Sequence, residues 1–282
     1  MKIVRTIEDM QQQVQELKAQ NLSIGFVPTM GFLHEGHMSL MEEAKKHNDI
    51  VVISIFVNPL QFGPNEDFDS YPRDFERDEK IAEQLGVDVV FYPSVDQMYP
   101  KPLSIKMTVT DRTNVLCGRS RPGHFDGVAT VLTKLFHIIQ PSRAYFGLKD
   151  AQQVAVVDGL INDFNFPIEL VPVPTVREED GLAKSSRNVR LTPEERKEAP
   201  NIYKTLQVAK EWIADGERDT NKLTDRLFAS LETTISGSID YLEILSYPEL
   251  GNIDSVDGKI IIAIAVKYSN VRLIDNIIID VA

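Results

Sequence analysis

The chain has one cysteine, Cys117, among its 282 residues. No disulfide framework can form within it, and a reducing, cytoplasmic setting is expected. Cations are scarce: 30 Lys and Arg face 42 Asp and Glu, for a net charge of −12. That balance argues against a protein that grips nucleic acid through a general basic surface. It leaves anionic small molecules open, because these answer to the local field. Long apolar runs are also missing. The longest, residues 260–266, is far too short to span a bilayer and reads as a buried strand. Residues 1–9 lack the apolar core of a signal peptide. Neither a membrane nor a nucleic-acid partner is expected, and no repeat or low-complexity tract appears.

What is present alternates. Ile7, Met10, Val14 and Leu17 share one face of a predicted helix over 6–20. A strand at 23–29, a glycine-rich turn and a helix to 46 follow. Residues 49–57 form a nearly continuous β-branched run, as expected of a central parallel strand, and end in a Pro/Gly loop over 58–65. A helix at 74–85, a strand at 87–92, an irregular stretch to 123, a helix at 125–139, a strand at 143–147, a helix at 150–164 and a strand at 168–176 continue the pattern. The fold class implied is α/β, a Rossmann-like doubly wound parallel sheet over 1–176. Ligands of such sheets bind beyond the carboxyl ends of the strands. After a polar connector at 177–188, Thr192-Pro-Glu-Glu opens a helix to 214, a second helix covers 221–236, and strands are predicted at 238–245, 258–266 and 271–280. These make a smaller C-terminal α+β domain, 177–282, expected to serve as a lid.

The segment Gly25-Phe-Val-Pro-Thr-Met-Gly-Phe-Leu-His-Glu-Gly-His37 stands out. Two histidines with a glycine between them sit at a helix entrance, where unpaired N–H groups and the positive dipole end suit a phosphate. A zinc site is the alternative, but His47, His124 and His137 offer no metal-like spacing. Gly147-Leu-Lys149-Asp150 lies at a strand-to-helix junction. Asp150 could simply be a helix cap, or Lys149 could reach phosphate oxygens while Asp150 accepts from ribose hydroxyls. Lys184-Ser-Ser-Arg187 suits a clamp on a transferring phosphate. Gln61 and Gln153 adjoin these turns and could serve a hydroxylated substrate.

In one order along the chain stand Pro28-Thr-Met-Gly31, His34-Glu-Gly-His37, Phe56-Val-Asn-Pro-Leu-Gln-Phe-Gly63, Tyr71-Pro-Arg73, Arg121-Pro-Gly-His-Phe-Asp-Gly-Val128, Tyr145-Phe-Gly-Leu-Lys-Asp-Ala-Gln-Gln153 and Ser185-Ser-Arg-Asn188. This set closely resembles the pantoate–β-alanine ligase family of the nucleotidyltransferase superfamily. The resemblance implies an ATP-dependent, Mg²⁺-assisted condensation of pantoate with β-alanine through an acyl adenylate, carried out by a homodimer. It implies His37, His34 and Lys149 as catalytic groups, with His37 as proton donor. It implies ATP contacts from Met30, Gly31, Phe32, Leu33, His34, Glu35, Gly36 and His37, from Gly147, Leu148, Lys149 and Asp150, and from Val176, Lys184, Ser185, Ser186 and Arg187. Gln61 and Gln153 would hold pantoate. Asn58, Tyr71 and Arg121 would form the site wall. The family motifs name no ligand for Mg²⁺.

Overall fold

The computed structural model describes residues 1–63 and 68–281. Residues 64–67 of the predicted 58–65 loop lie outside them. The β-branched run of β3 (Ile50–Ile55) pairs with β2 (Ile24–Thr29) in parallel at all six positions from Ile24↔Ile50 to Thr29↔Ile55. Around them β1 (Lys2–Val4), β4 (Val89–Phe91), β5 (Arg143–Gly147) and β6 (Glu169–Val173) complete a parallel sheet of order β1-β4-β3-β2-β5-β6. The strand order reverses between β2 and β5, which is where a doubly wound sheet opens its ligand crevice.

Helices α1 (Ile7–Ala19), α2 (Glu35–His47), α3 (Phe75–Gln84), α4 (Val95–Met98), α5 (Leu116–Ser120), α6 (His124–Ile139) and α7 (Ala151–Asp163) connect these strands. Helix α1 buries Met10, Val14 and Leu17 on one stripe, and Thr6 caps it by accepting from Asp9 N. Val27, Leu33, Leu40, Met41, Ile53, Val90 and Tyr145 form the core between α2 and the sheet.

The second sheet is antiparallel, with order β7-β8-β9: β7 (Ser238–Ser246), β8 (Gly258–Lys267) and β9 (Arg272–Val281). Strand β8 is buried on both faces. Ile260, Ile262, Ile264 and Val266 pack in one core with Leu206, Leu223 and Leu227, while Ile261 and Ala263 join Leu116, Ala151 and Leu245 in another. Helices α9 (Pro200–Ala214) and α10 (Thr220–Glu232) belong to the first of these cores, and the short α8 (Pro193–Glu198) precedes them.

Some boundaries differ from the sequence pattern. The helix predicted over 192–214 is two helices, because Pro200 has no N–H and cannot continue α8. Strand β1 is only three residues long, too short to show alternation, and the irregular stretch to 123 contains α4 and α5. By packing, the chain forms two compact units. One comprises 1–111, 121–148 and 156–173; the other comprises 112–120, 149–155 and 174–282. The second unit thus takes in two segments that precede residue 177 in the chain. No helix of the described residues is long and apolar enough to cross a membrane.

Candidate active site

Strand β2 ends in a locked turn. Thr29 Oγ1 donates to Ser54 O at 2.8 Å and accepts from Gly31 N at 3.1 Å. Gly31 and Phe32 then take the left-handed region, at φ +82° and +51°. A Cβ on Gly31 would lie 2.9 Å from both Asp78 Oδ2 and Ile55 Cγ2, so glycine is required for space as well as for conformation. The left-handed Phe32 is held by Asp78 of α3, whose two carboxylate oxygens accept from Phe32 N and Leu33 N, each at 2.7 Å. Asp78 is 1% exposed. Burial raises its carboxyl above the ordinary aspartate range, against the two backbone bonds and nearby Arg77.

The histidines follow as a reciprocal cap. His34 is the N-cap of α2, and its Nδ1 accepts from Gly36 N at 3.1 Å. His34 N in turn donates to His37 Nδ1 at 3.3 Å. The rings lie 4.1 Å apart, tilted by 38°. A Cβ on Gly36 would sit 2.8 Å from His34 Cε1, which explains the glycine: the capping imidazole folds into the space a side chain would take. Since Nδ1 of each ring accepts from backbone, the neutral rings are assigned their proton at Nε2. Two N–H donors are thereby set beside the N-terminus of a thirteen-residue helix.

At the end of β3, Asn58 is 1% exposed. Its amide donates to Gln61 Oε1 at 3.2 Å and Gly127 O at 3.0 Å, while its oxygen accepts from Tyr99 O–H at 3.0 Å and Leu60 N at 3.3 Å. Asn58 therefore anchors Gln61. Gln61 Nε2 points to Met30 Sδ at 3.0 Å, joining this turn to the histidine turn. Arg121 Nη1 meets His124 Nε2 at 3.1 Å, and His124 Nδ1 meets Gln61 O at 2.8 Å. Gly127 lets α6 approach the turn, since a Cβ there would lie 2.2 Å from Leu60 O. Tyr71 packs edge-on to Phe62. A cavity of about 440 Å³ opens at the carboxyl ends of β2, β3 and β4, lined in part by Met30, Gly31, Phe56, Tyr92, Asp78 and Arg5. Gly147 and Leu148 close this set at the end of β5, with Gly147 beside Leu40 of α2.

The remaining predicted residues lie in the other unit: Lys149, Asp150, Gln153, Val176 and Lys184–Arg187. The Lys149 side chain is 19% exposed and its Nζ is 3.8 Å from Asp150 Oδ2, so it is not a solvated surface lysine. Asp150 ends a 3₁₀ turn ahead of α7. Gln152 is the buried amide of the pair, donating to Arg112 O and Val115 O at 2.9 Å, whereas Gln153 is half-buried. The connector at 177–188 is a hairpin, closed by Glu178 N to Leu182 O at 2.8 Å and Lys184 N to Val176 O at 2.9 Å. Ser185 then caps a 3₁₀ turn by accepting from Arg187 N at 3.2 Å.

Sequence reasoning did not single out Asp78, Asp275 or Asn276. Asp78 looks like one more carboxylate of a charged helix, but its place on the buried face of α3 was the available signal. Among the described residues no three His, Cys, Asp or Glu side chains converge to hold a metal ion.

Residues 2–278 match the family model for pantoate-beta-alanine ligase. A pantothenate synthetase from Geobacillus sp. (strain WCH70) is 62% identical over 281 residues, covering all of both chains. One from Bacillus cereus (strain ATCC 10987 / NRS 248) is 58% identical, again over the full length of both. Among solved structures, a pantothenate synthetase from Thermus thermophilus superposes with a TM-score of 0.91 at 43% identity, covering 98% of this chain and 99% of that one. The pantoate-beta-alanine ligase of Francisella tularensis, complexed with beta-gamma ATP and beta-alanine, gives 0.78 at 36% identity over 98% and 97%.

Proposed function

The chain belongs to the pantoate-beta-alanine ligase family, and from that premise we propose how its residues divide an ATP-dependent condensation of pantoate with β-alanine. The pantoate carboxylate attacks the α-phosphorus of ATP. The bond to the β-phosphate oxygen breaks, releasing pyrophosphate and leaving pantoyl adenylate. The β-alanine amine then attacks the acyl carbonyl, loses a proton, and displaces AMP to give pantothenate. Chemistry of this kind needs positioning and charge neutralisation more than a dedicated nucleophile.

The observation that carries the assignment is the reciprocal histidine cap. It supports His34 and His37 as Nε2–H hydrogen-bond donors to phosphate oxygens; for His37 to act as proton donor to the leaving pyrophosphate, its ring would have to enter the step as the imidazolium. Met30–His37, Gly147 and Leu148 would contact the nucleotide, as would Lys149, Asp150, Val176 and Lys184–Arg187, with Lys149 on phosphate and Asp150 on ribose. Gln61, fixed through Asn58, and Gln153 would hold pantoate. The donor set among the described residues makes no protein cage for Mg²⁺, which fits a cation that arrives on the ATP phosphates. A lid role for 177–282, a homodimer and a cytoplasmic location complete the proposal, the last supported by the lone cysteine.

A pyrophosphate-release assay tests this. Release should require pantoate, and continuous turnover with AMP formation should require β-alanine as well. His37→Ala should lower kcat about 100-fold or more while changing ATP affinity far less. Release with cytidine triphosphate in place of ATP, or equal small losses in kcat and ATP binding, would overturn the assignment.

A further inference from the structure

Strand β9 lies at the edge of the antiparallel sheet and carries two buried polar residues side by side, Asp275 at 4% and Asn276 at 8% exposed. A buried polar pair in a strand needs partners, and these two find them in different segments. Asp275 Oδ2 and Oδ1 accept from Arg177 Nη1 at 2.7 Å and Nη2 at 2.9 Å, a two-point ion pair. The same guanidinium lies 3.5 Å from the Tyr203 ring centroid and donates to Gly181 O at 3.1 Å. Gly181 is left-handed at φ +95°, and a Cβ there would lie 2.9 Å from Tyr203 Cδ1. Asp275 thus fixes, through Arg177, the hairpin that delivers Lys184–Arg187. Asn276 Nδ2 donates to Lys149 O at 3.1 Å. Successive residues of a strand point to opposite faces, so one dipeptide can hold both segments at once.

We propose that Asp275 and Asn276 are positioning residues that fix Lys149 and the 184–187 segment relative to each other as a single clamp on the nucleotide phosphates. This rests on the assignment of those segments to ATP made above. Each acts through the segment it holds. Asn276 sets where the Lys149 backbone starts its reach, and Asp275 sets where the hairpin ends. Displacing either by a fraction of an ångström misaims the cations.

A double-mutant cycle tests the proposal, with KM for ATP and for pantoate read separately and binding of a non-hydrolysable ATP analogue measured by calorimetry. Asn276→Ala should raise the KM for ATP about ten-fold, with the pantoate KM within about two-fold of the parent. In a Lys149→Ala background the same change should add less than about two-fold, because the residue through which it acts is gone. Asn276→Asp keeps the volume and removes the donor, and it replaces Asn276→Ala if that variant does not fold. An undiminished effect in the Lys149→Ala background, or none in the parent, overturns the proposal alone. A Lys149→Ala enzyme that uses ATP normally overturns the ATP assignment together with it.

Discussion

In the parallel-sheet unit the histidine turn is held by a carboxylate facing two backbone N–H groups, Asp78 against Phe32 and Leu33. In the other unit the 177–187 hairpin is held by a carboxylate facing a guanidinium, Asp275 against Arg177. Both carboxylates are buried, yet they solve the cost of burial differently. Backbone amides bring no counter-charge and Arg77 stands off at 3.7 Å, so Asp78 pays in a raised affinity for its proton and gains two direct holds on the turn's backbone. Arg177 brings a full charge and a planar fork, which fixes direction but makes each partner dependent on the other. The first arrangement suits a turn that must stay in one shape. The second suits a segment tied down at one point.

Three measurements would break or sharpen this contrast. The largest effect is expected at the ion pair: Arg177→Met leaves Asp275 buried without its partner and should cost about 3 kcal/mol in denaturant unfolding. Adding Asp275→Leu should recover most of that stability, because an apolar pair of similar volume can replace a buried ion pair, while ATP use stays impaired. If the double variant is no more stable than the single, mutual dependence is the wrong description.

A smaller loss is expected at the turn. Asp78→Ala removes acceptors from two N–H groups but also relieves a buried carboxylate, so about 2 kcal/mol is anticipated. Activity should fall much more than stability, since the turn aims His34 and His37. Retained kcat would show that the turn holds its shape unaided.

The smallest effect is in pH dependence, and its sign should differ between the units. Asp78 holds its proton to higher pH in the folded state than in the unfolded chain, so its share of stability is largest at low pH and declines as pH rises through the raised value. Asp240 on β7 behaves oppositely. Burial pushes its carboxyl up, but Lys267 and Arg272 outweigh burial and hold it below the ordinary range. Its contribution is present at neutral pH and lost as pH falls through that depressed value. Subtracting the urea stability of Asp78→Asn and of Asp240→Asn from the parent over about pH 3 to 6 should give opposite slopes. Parallel slopes would put the two carboxylates in one class.

Much of the fold was legible because it rests on local periodicity. The run at 50–55 could only be a covered parallel strand, and the cap of α1 by Thr6 stands in the sequence as it does in the structure. The histidine turn was legible for the same reason: glycine, histidine and helix start are contiguous. Asp78 was not, because its partners lie 45 and 46 residues away: the spacing of α3 puts it on the buried face without naming what it accepts from. Asp275 and Asn276 were hidden in a strand pattern otherwise read only for its isoleucines. Asn58 was visible as part of its motif, but the partners of its amide were not: Gly127 and Tyr99 lie far along the chain. The break at Pro200 could have been read from proline chemistry alone.

Gly127 carries a consequence for anyone who would change which acid this enzyme accepts. Ten of the sixteen residues of the helix on which it sits are buried, and its backbone presses on the Leu60 carbonyl with no room for a methyl group. The loop bearing Gln61 is therefore not a detachable module that can be exchanged between relatives at will. A transplanted loop would have to match the surface of α6 to within a carbon atom. Where Gln61 sits is decided partly by the face of α6.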